Sequence, residues 1–467
     1  MSGMNGGKPP ADRPVPAGGL LSRRAALRAP LALVPLTLTP LALTGCETIE
    51  GVFTTRKDPL PGKRESLRET QRGFAVDDGA PRVSVPAASR NAAWPQAGGV
   101  PSHVMGNLSA PATLSRAWNA PLGEGGGYRR KILAQPVVAG GKVYAMDSDA
   151  VVSAHDLGTG ARLWRTVTVD SKIDGTNIGG GLSWESGTVF AVNGQSEVLA
   201  LDAGTGAVRW RHDLGVPARS APTVAEGRVF LTTIDSRLIA LSADDGRQLW
   251  VYQATATATS VLGSPPPAYA QGLVVAGFGS GEIAALRGDS GSVVWTDGLG
   301  ISRGRSSIVD FLAIRGAPVI NNGQVFATGM GGITLAVDLT TGRRVWERRV
   351  ASANTPWLAG NWLYLISVDQ ELAAINAEDA RIAWITQLPR WGNPEKKKDL
   401  ITWYGPAMAG DRLLVSGSNK EFLSLDPRGG DLVSQQPLSD APAPFTPAVA
   451  EGTVLLVTDD GRLNAWR

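Results

Sequence analysis

Chemistry in this 467-residue chain would have to come from few residues. Cys46 is the sole cysteine, so no internal disulfide can form and a cysteine-based metal site is excluded. The three histidines, His103, His155 and His212, lie far apart and share no ligand spacing. Carboxylates do recur: Asp156, Asp202 and Asp338 hold the same place in a repeated Asp-x-x-Thr-Gly segment. That repetition marks them as turn-forming groups, because an Asp side chain bonds nearby backbone N–H groups. Gly277-Phe278-Gly279-Ser280-Gly281 has the composition of a phosphate loop, but it joins two apolar runs and reads as a hairpin. The chain contains no Gly-x-Ser-x-Gly elbow, no Walker loop and no His-Glu-x-x-His pair. These residues predict a protein that is not an enzyme and carries no cofactor or metal.

Composition narrows the class. Hydrophobic residues make up 43% and charged residues 19%, as in a globular chain. The 57 glycines and 31 prolines point to many turns. A net charge of +3 is too small an excess to predict nucleic-acid binding.

Residues 1–45 read as a signal peptide. Arg23, Arg24 and Arg28 form a basic region, and Ala29 to Leu43 is apolar but broken by Pro30, Pro35 and Pro40. A bilayer-spanning helix needs about 20 apolar residues, so this is an export signal rather than an anchor. It ends in Leu43-Thr44-Gly45-Cys46, which resembles a bacterial lipobox. That resemblance implies that Cys46 becomes the acylated first residue of the mature chain. Acyl chains contribute roughly 0.8 kcal/mol per buried CH₂, so several on one cysteine anchor stably. Ser22-Arg23-Arg24-Ala25-Ala26-Leu27-Arg28 is either an ordinary basic region or a twin-arginine signal with Ala26 in place of an aromatic. Glu47, where an aspartate would signal retention at the inner membrane, points to the outer membrane.

Residues 46–113 show no sustained period and read as a tether followed by an irregular strap. If flexible, roughly 65 such residues span on the order of 45 Å.

From residue 114 a repeat takes over. The unit is an apolar strand, a turn, a second apolar strand, then Ala-x-Asp-x-x-Thr-Gly-x-x-x-Trp. Successive copies end at Trp164, Trp210, Trp250, Trp295, Trp346 and Trp384, and a seventh has Ser434 in that position. The C-terminus supplies three strands, and Ser115-Arg116-Ala117-Trp118-Asn119 supplies the missing fourth. Residues 114–467 therefore make eight units of roughly 44 residues, which is the propeller signature. The predicted fold is all-β: an eight-bladed propeller of four-stranded antiparallel blades, closed by an N-terminal strand joining the C-terminal blade. Glycine gives the turn its positive φ, and each Trp offers a large flat surface to the next blade.

The Trp-terminated repeat is of the PQQ type. Together with the lipobox and the strap Trp94-Pro95-Gln96-Ala97-Gly98-Gly99, the eight blades resemble the BamB family, the lipoprotein propellers of the outer-membrane β-barrel assembly machinery. The resemblance implies a non-catalytic scaffold on the periplasmic face of the outer membrane. Its implied partners are the periplasmic domains of BamA, other subunits of the machinery and nascent outer-membrane proteins, with the membrane reached through the lipid. The alternatives are a periplasmic PQQ-dependent dehydrogenase-like propeller or another periplasmic binding propeller. With Cys46 alone, the adjacent cysteine pair common in such dehydrogenases is impossible.

Blade topology predicts where a scaffold would bind. The c-to-d turn with Asp-x-x-Thr-Gly lies on one face, and the connection from strand d to the next strand a lies on the other. The second face carries the long insertions, where function on a rigid scaffold usually sits. One insertion holds Arg303, Arg305, Asp310 and Arg315; another holds Trp391, Lys396, Lys397, Lys398 and Trp403. The lysine run reads as a solvated loop. In the BamB family an arginine before Ser-Ala-Pro and aspartates in a later loop touch BamA. Here Arg219 precedes Ser220-Ala221-Pro222 and Asp310 lies in the later loop, while a second acidic position is Ala313 and expected leucines are Pro217 and Ala218. The resemblance thus implies partner contacts at Arg219, Arg305, Asp310 and Arg315.

Overall fold

The computed structural model describes residues 74–127, 130–169, 178–257, 263–300 and 312–467. Among them there is no helix. Eight four-stranded antiparallel sheets form an eight-bladed β-propeller, as the repeat predicts.

Blade 1 sets the pattern. Its strands a to d are Val137–Ala139, Lys142–Met146, Val151–Asp156 and Arg162–Val167, each paired with the next. Strands a to c are buried nearly throughout, because neighbouring blades cover both faces. They therefore read as apolar runs, and each fully buried Val, Leu or Phe contributes roughly 1.5–3 kcal/mol. Strand d lies at the rim, where only Trp164 and Thr166 are half-buried. Blades 2 to 7 repeat this, running from Leu182–Glu185 to Val208–Asp213, Thr223–Ala225 to Gln248–Gln253, Ala268–Ala270 to Val293–Gly298, Val319–Asn321 to Arg344–Arg348, Trp357–Ala359 to Ile382–Gln387, and Trp403–Ala409 to Leu432–Pro437.

Blade 8 takes strands a to c from the C-terminus, Ala448–Ala450, Thr453–Thr458 and Arg462–Trp466, and strand d from Arg116–Pro121. Trp118 pairs with Ala465 across that seam. The Arg116 guanidinium lies 5.3 Å from the Trp466 ring centroid, a cation–π contact.

The terminal tryptophans link the blades. Each indole N–H donates to the carbonyl just after the first residue of the next blade's c-to-d turn: Trp118 to Leu157, Trp164 to Ala203, Trp210 to Ala243, Trp250 to Gly288, Trp295 to Leu339, Trp346 to Ala377 and Trp384 to Pro427, at 2.7–3.1 Å. Within its own sheet each Trp faces an alanine on strand c, as in Ala154↔Trp164 and Ala200↔Trp210. The ring then lies over the turn glycine. A Cβ on Gly160 would come 2.6 Å from Trp118, so this glycine supplies both a positive φ and the space for the indole.

Ser434 now has a reason. A Trp there would need a c-to-d turn in blade 8, but that blade has none: its strand c ends the chain and its strand d comes from the other terminus. Among the described residues, the c-to-d turn that blade 8 lacks coincides with the repeat position that lacks a Trp.

The strap is ordered and central. Working through residues 91–108, backbone or side-chain bonds reach strand a of every blade in turn. Asn91 Nδ2 donates to the Val449 carbonyl, and Trp94 exchanges backbone bonds with Val138. The Trp184 N–H donates to Pro95, and the Gln96 amide pairs with both backbone groups of Val224 at 2.9 and 3.0 Å. Pro101 and Ser102 carbonyls accept from Tyr269 and Ile320, Gly106 accepts from the Trp357 indole, and Leu108 pairs with Met408 and Gly410. Because strands a line the axis of a propeller, this segment fills the channel. Residues 74–113 are the strap, packed against the blades through bonds to the strands and within the segment itself.

Candidate functional site

The antiparallel blades place b-to-c turns and d-to-a connections together on one face. On it the channel opens as a cavity of about 250 Å³. Its walls include Trp357, Tyr404 and Phe445, and its floor is made by the strap residues Ala97, Gly98 and His103.

Two predicted partner residues line this one cavity, Arg219 and Arg315. Arg219 sits in the connection between blades 2 and 3. Ala218 bridges to Thr233, and the Arg219 carbonyl accepts from Ser264 N–H at 3.1 Å, so its backbone is held from both sides. Arg315 sits in the connection between blades 4 and 5. The Ile314 N–H donates to Phe278 and the Ala317 N–H to Thr355 Oγ1, which brackets it. A Cβ on Gly316 would lie 2.3 Å from the Asn354 carbonyl, so this connection passes too close to its neighbour for any larger residue. Arg305 and Asp310 lie outside the described residues, as do Arg303 and Cys46.

The electrostatics are unusual at three groups. Arg315 is exposed at the cavity mouth, and partial desolvation there lowers its guanidinium pKa, partly offset by the Tyr404 phenol. Burial raises Tyr404, and the charge of Asp459 adds to that. Burial pushes His103 down to about 4, against the opposing bond to the Pro318 carbonyl at 2.7 Å. His103 is therefore neutral at physiological pH, and Nδ1 carries the proton it donates to that carbonyl.

The opposite face is structural. Asp156 Oδ1 accepts from both the N–H and the hydroxyl of Thr159 at 2.8 Å, and Asp202 and Asp338 cap their turns in the same way. Bonds from Arg209 and Thr205 bring Asp202 to about 2, and the Thr340 and Thr341 bonds do the same for Asp338. Gly277–Gly281 forms the expected tight hairpin, with Phe278 N–H bonded to Glu282 and Gly281 in a positive φ of 83°. The Lys396–Lys398 segment belongs to a small hairpin, Trp391–Asn393 with Lys398–Leu400, whose lysines are exposed. Among the described residues no three His, Cys, Asp or Glu side chains group so as to hold a metal.

The family model for the outer membrane protein assembly factor BamB matches residues 148–386. The BamB of Vibrio cholerae serotype O1 is 31% identical over 355 residues, spanning 76% of this chain and 88% of that protein. The chain belongs to the BamB family. The BamB of Yersinia pestis is 25% identical, over 75% of this chain and 88% of its own length. The crystal structure of BamB from Moraxella catarrhalis superposes with a TM-score of 0.65 at 21% identity, over 76% of this chain and all of that one. The quinohemoprotein alcohol dehydrogenase of Comamonas testosteroni gives a TM-score of 0.60 at 14% identity, over 81% of each chain, which is a likeness of fold alone.

Against this BamB frame, sequence reasoning missed the cavity walls. Trp357, Tyr404 and Phe445 belong to three different blades or connections, and no motif joins them. The one available signal was the strap motif. Trp94 is fully buried and stacks on Trp357 at 6.2 Å, and a Cβ on Gly98 would come 2.7 Å from the His103 ring.

Proposed function

We propose that this chain is an outer-membrane protein assembly factor: a non-catalytic scaffold that docks through its d-to-a face onto the periplasmic domains of BamA and supports folding and insertion of outer-membrane proteins. Its relatives are named for that role. In this reading residues 1–45 are the signal peptide, Cys46 carries the lipid that holds the protein at the periplasmic side of the outer membrane, and 114–467 is the propeller.

The observation that carries the docking face is the convergence of Arg219 and Arg315, from separate connections, on one cavity. Rigid-scaffold connections of this sort position binding groups without ordering cost at the moment of association. Arg305 and Asp310 belong to the same proposed contact. The test is the affinity for the BamA periplasmic domains. Arg219→Glu should weaken it at least roughly tenfold, equivalent to about 1.4 kcal/mol. Asp156→Arg, on the opposite face, should spare it. Equal affinity of Arg219→Glu and wild type would refute this face.

A further inference from the structure

Among the described residues, most large apolar side chains that face solvent lie in strands d at the rim, from Leu163 in blade 1 to Val433 in blade 7. Three do not. Val76, Val368 and Leu400 are 56%, 40% and 58% exposed, and all three belong to the surroundings of blade 6. A single exposed valine needs no explanation, but a group of apolar side chains left in water beside one another marks an interaction site.

Contacts on the page connect the three. Phe74 and Val368 line one small cavity together with Asp369. Val76 follows Phe74, and the next residue, Asp77, is held by Arg348 and by the Ile382 N–H at 2.8 Å. Asp369 pairs with Arg390 at 3.1 Å, Arg390 lies 5.7 Å from the Trp391 ring centroid, and Trp391 pairs across its hairpin with Leu400. The same hairpin exposes Lys396, Lys397 and Lys398 against Glu395 and Asp399, a modest positive excess. Lysines beside a half-buried Trp and exposed aliphatic groups suit a bilayer headgroup layer: the ammonium groups meet lipid phosphates while the apolar groups reach the acyl boundary.

The path of the chain points the same way. Phe74 is the first described residue, so residues 46–73 join the propeller at this patch. Lipid on Cys46 therefore draws the blade 6 side toward the bilayer, and tethering raises the effective concentration of even a weak contact beside the attachment point. The hairpin, between blades 6 and 7, stands four blades round the eight-bladed ring from the connection that carries Arg219, so it lies across the ring from that residue.

We propose that the blade 6 edge of the d-to-a face, with the hairpin over residues 391–400, is a contact surface for anionic lipid headgroups of the leaflet that holds Cys46. The proposal rests on the lipid-anchor reading above for what brings the bilayer to it.

Acrylamide quenching of a fluorophore placed at Leu400→Cys tests this in the full-length protein, reconstituted into vesicles of phosphatidylcholine alone or with phosphatidylglycerol. The comparison position is Val208→Cys, 45% exposed and in strand d of blade 2, across the ring. Quenching at position 400 should fall at least roughly threefold on the anionic vesicles relative to the neutral ones, with position 208 unchanged. Replacing Lys396, Lys397 and Lys398 by Gln should abolish that difference and leave the circular dichroism melt unchanged, since all three side chains are exposed. Equal quenching at position 400 on the two vesicle types, equal shielding at position 208, or an undiminished difference in the triple variant overturns the contact surface. Shielding at position 400 that appears only when the BamA periplasmic domains are added overturns the lipid assignment in favour of a protein. Wild-type protein that takes up the fluorophore has a free Cys46 thiol, which refutes the lipid anchor; the same vesicle comparison with Cys46→Ala added then decides the surface by itself.

Discussion

The Trp118 indole N–H donates to the Leu157 carbonyl at 3.0 Å, so the strand that opens the propeller docks on the turn of blade 1. Trp118 lies in a strand held by Arg462–Trp466, the last strand of the chain. One side chain thus fastens the seam between the first and last strands to the next blade.

Trp295→Ala should cost about 3–5 kcal/mol, because it removes a buried ring, leaves a cavity and strands the Leu339 carbonyl at the blade 4–5 joint. Ser434→Trp restores the repeat but should leave stability within about 0.5 kcal/mol, since Ser434 is exposed and faces no turn. Urea denaturation of both variants measures this. A gain of several kcal/mol in Ser434→Trp would refute the missing-turn account.

Gly206→Ala and Gly187→Ala separate two duties of glycine. Both have positive φ, 76° and 78°. A Cβ at 206 would lie 2.6 Å from both the Trp164 ring and Thr166 Oγ1, while nothing lies within 4 Å at 187. Gly187→Ala should lose about 1–2 kcal/mol from backbone conformation alone. Gly206→Ala should lose at least about 1 kcal/mol more from overpacking. Similar losses in the two melting curves would show that the indole yields freely.

His103 makes the strap sensitive to acid. Its pKa falls from 6.5 to about 4 on folding because burial disfavours the charged ring. Below pH 6.5 the unfolded chain takes up a proton that the folded chain refuses. The stabilisation is therefore complete above that pH and is lost as pH falls toward 4, by about 3 kcal/mol in all. His103→Asn, which tolerates the positive φ of 61°, should flatten this part of the profile. Stability measured from pH 7.5 to 4.5 should drop less in the variant than in the wild type, and parallel curves would contradict the assignment.

Cys46→Ala should release the protein from the outer-membrane fraction without altering its thermal transition. Cys46 precedes every described residue, so the substitution touches no strand of the propeller. Retention at wild-type levels after membrane fractionation would overturn the lipid anchor.

Blade number, strand count and ring closure were legible in the sequence because they are periodic. Each Trp, Asp and Gly recurs at a fixed distance from the others, and the turn they build is local. The role of Ala154 and Ala200 opposite the tryptophans was not legible, since only the strand register places a small residue against an indole. The strap's partners were hidden for a stronger reason. Residues 91–108 have no period, and their partners run from Val138 to Glu451, so the full set of contacts exists only once the blades have closed into a ring.

What the sequence determined by itself, then, is everything that repeats: a tryptophan-docked, eight-bladed ring closed by strands from both ends of the repeat region. What only the tertiary structure decided is what meets at the axis. Gln96 finds Val224, Trp94 stacks on Trp357, and Arg219 and Arg315 come to line one cavity. Those residues lie in different blades and connections. Ring closure brings them together, and local propensity carries no information about a neighbour a hundred residues away.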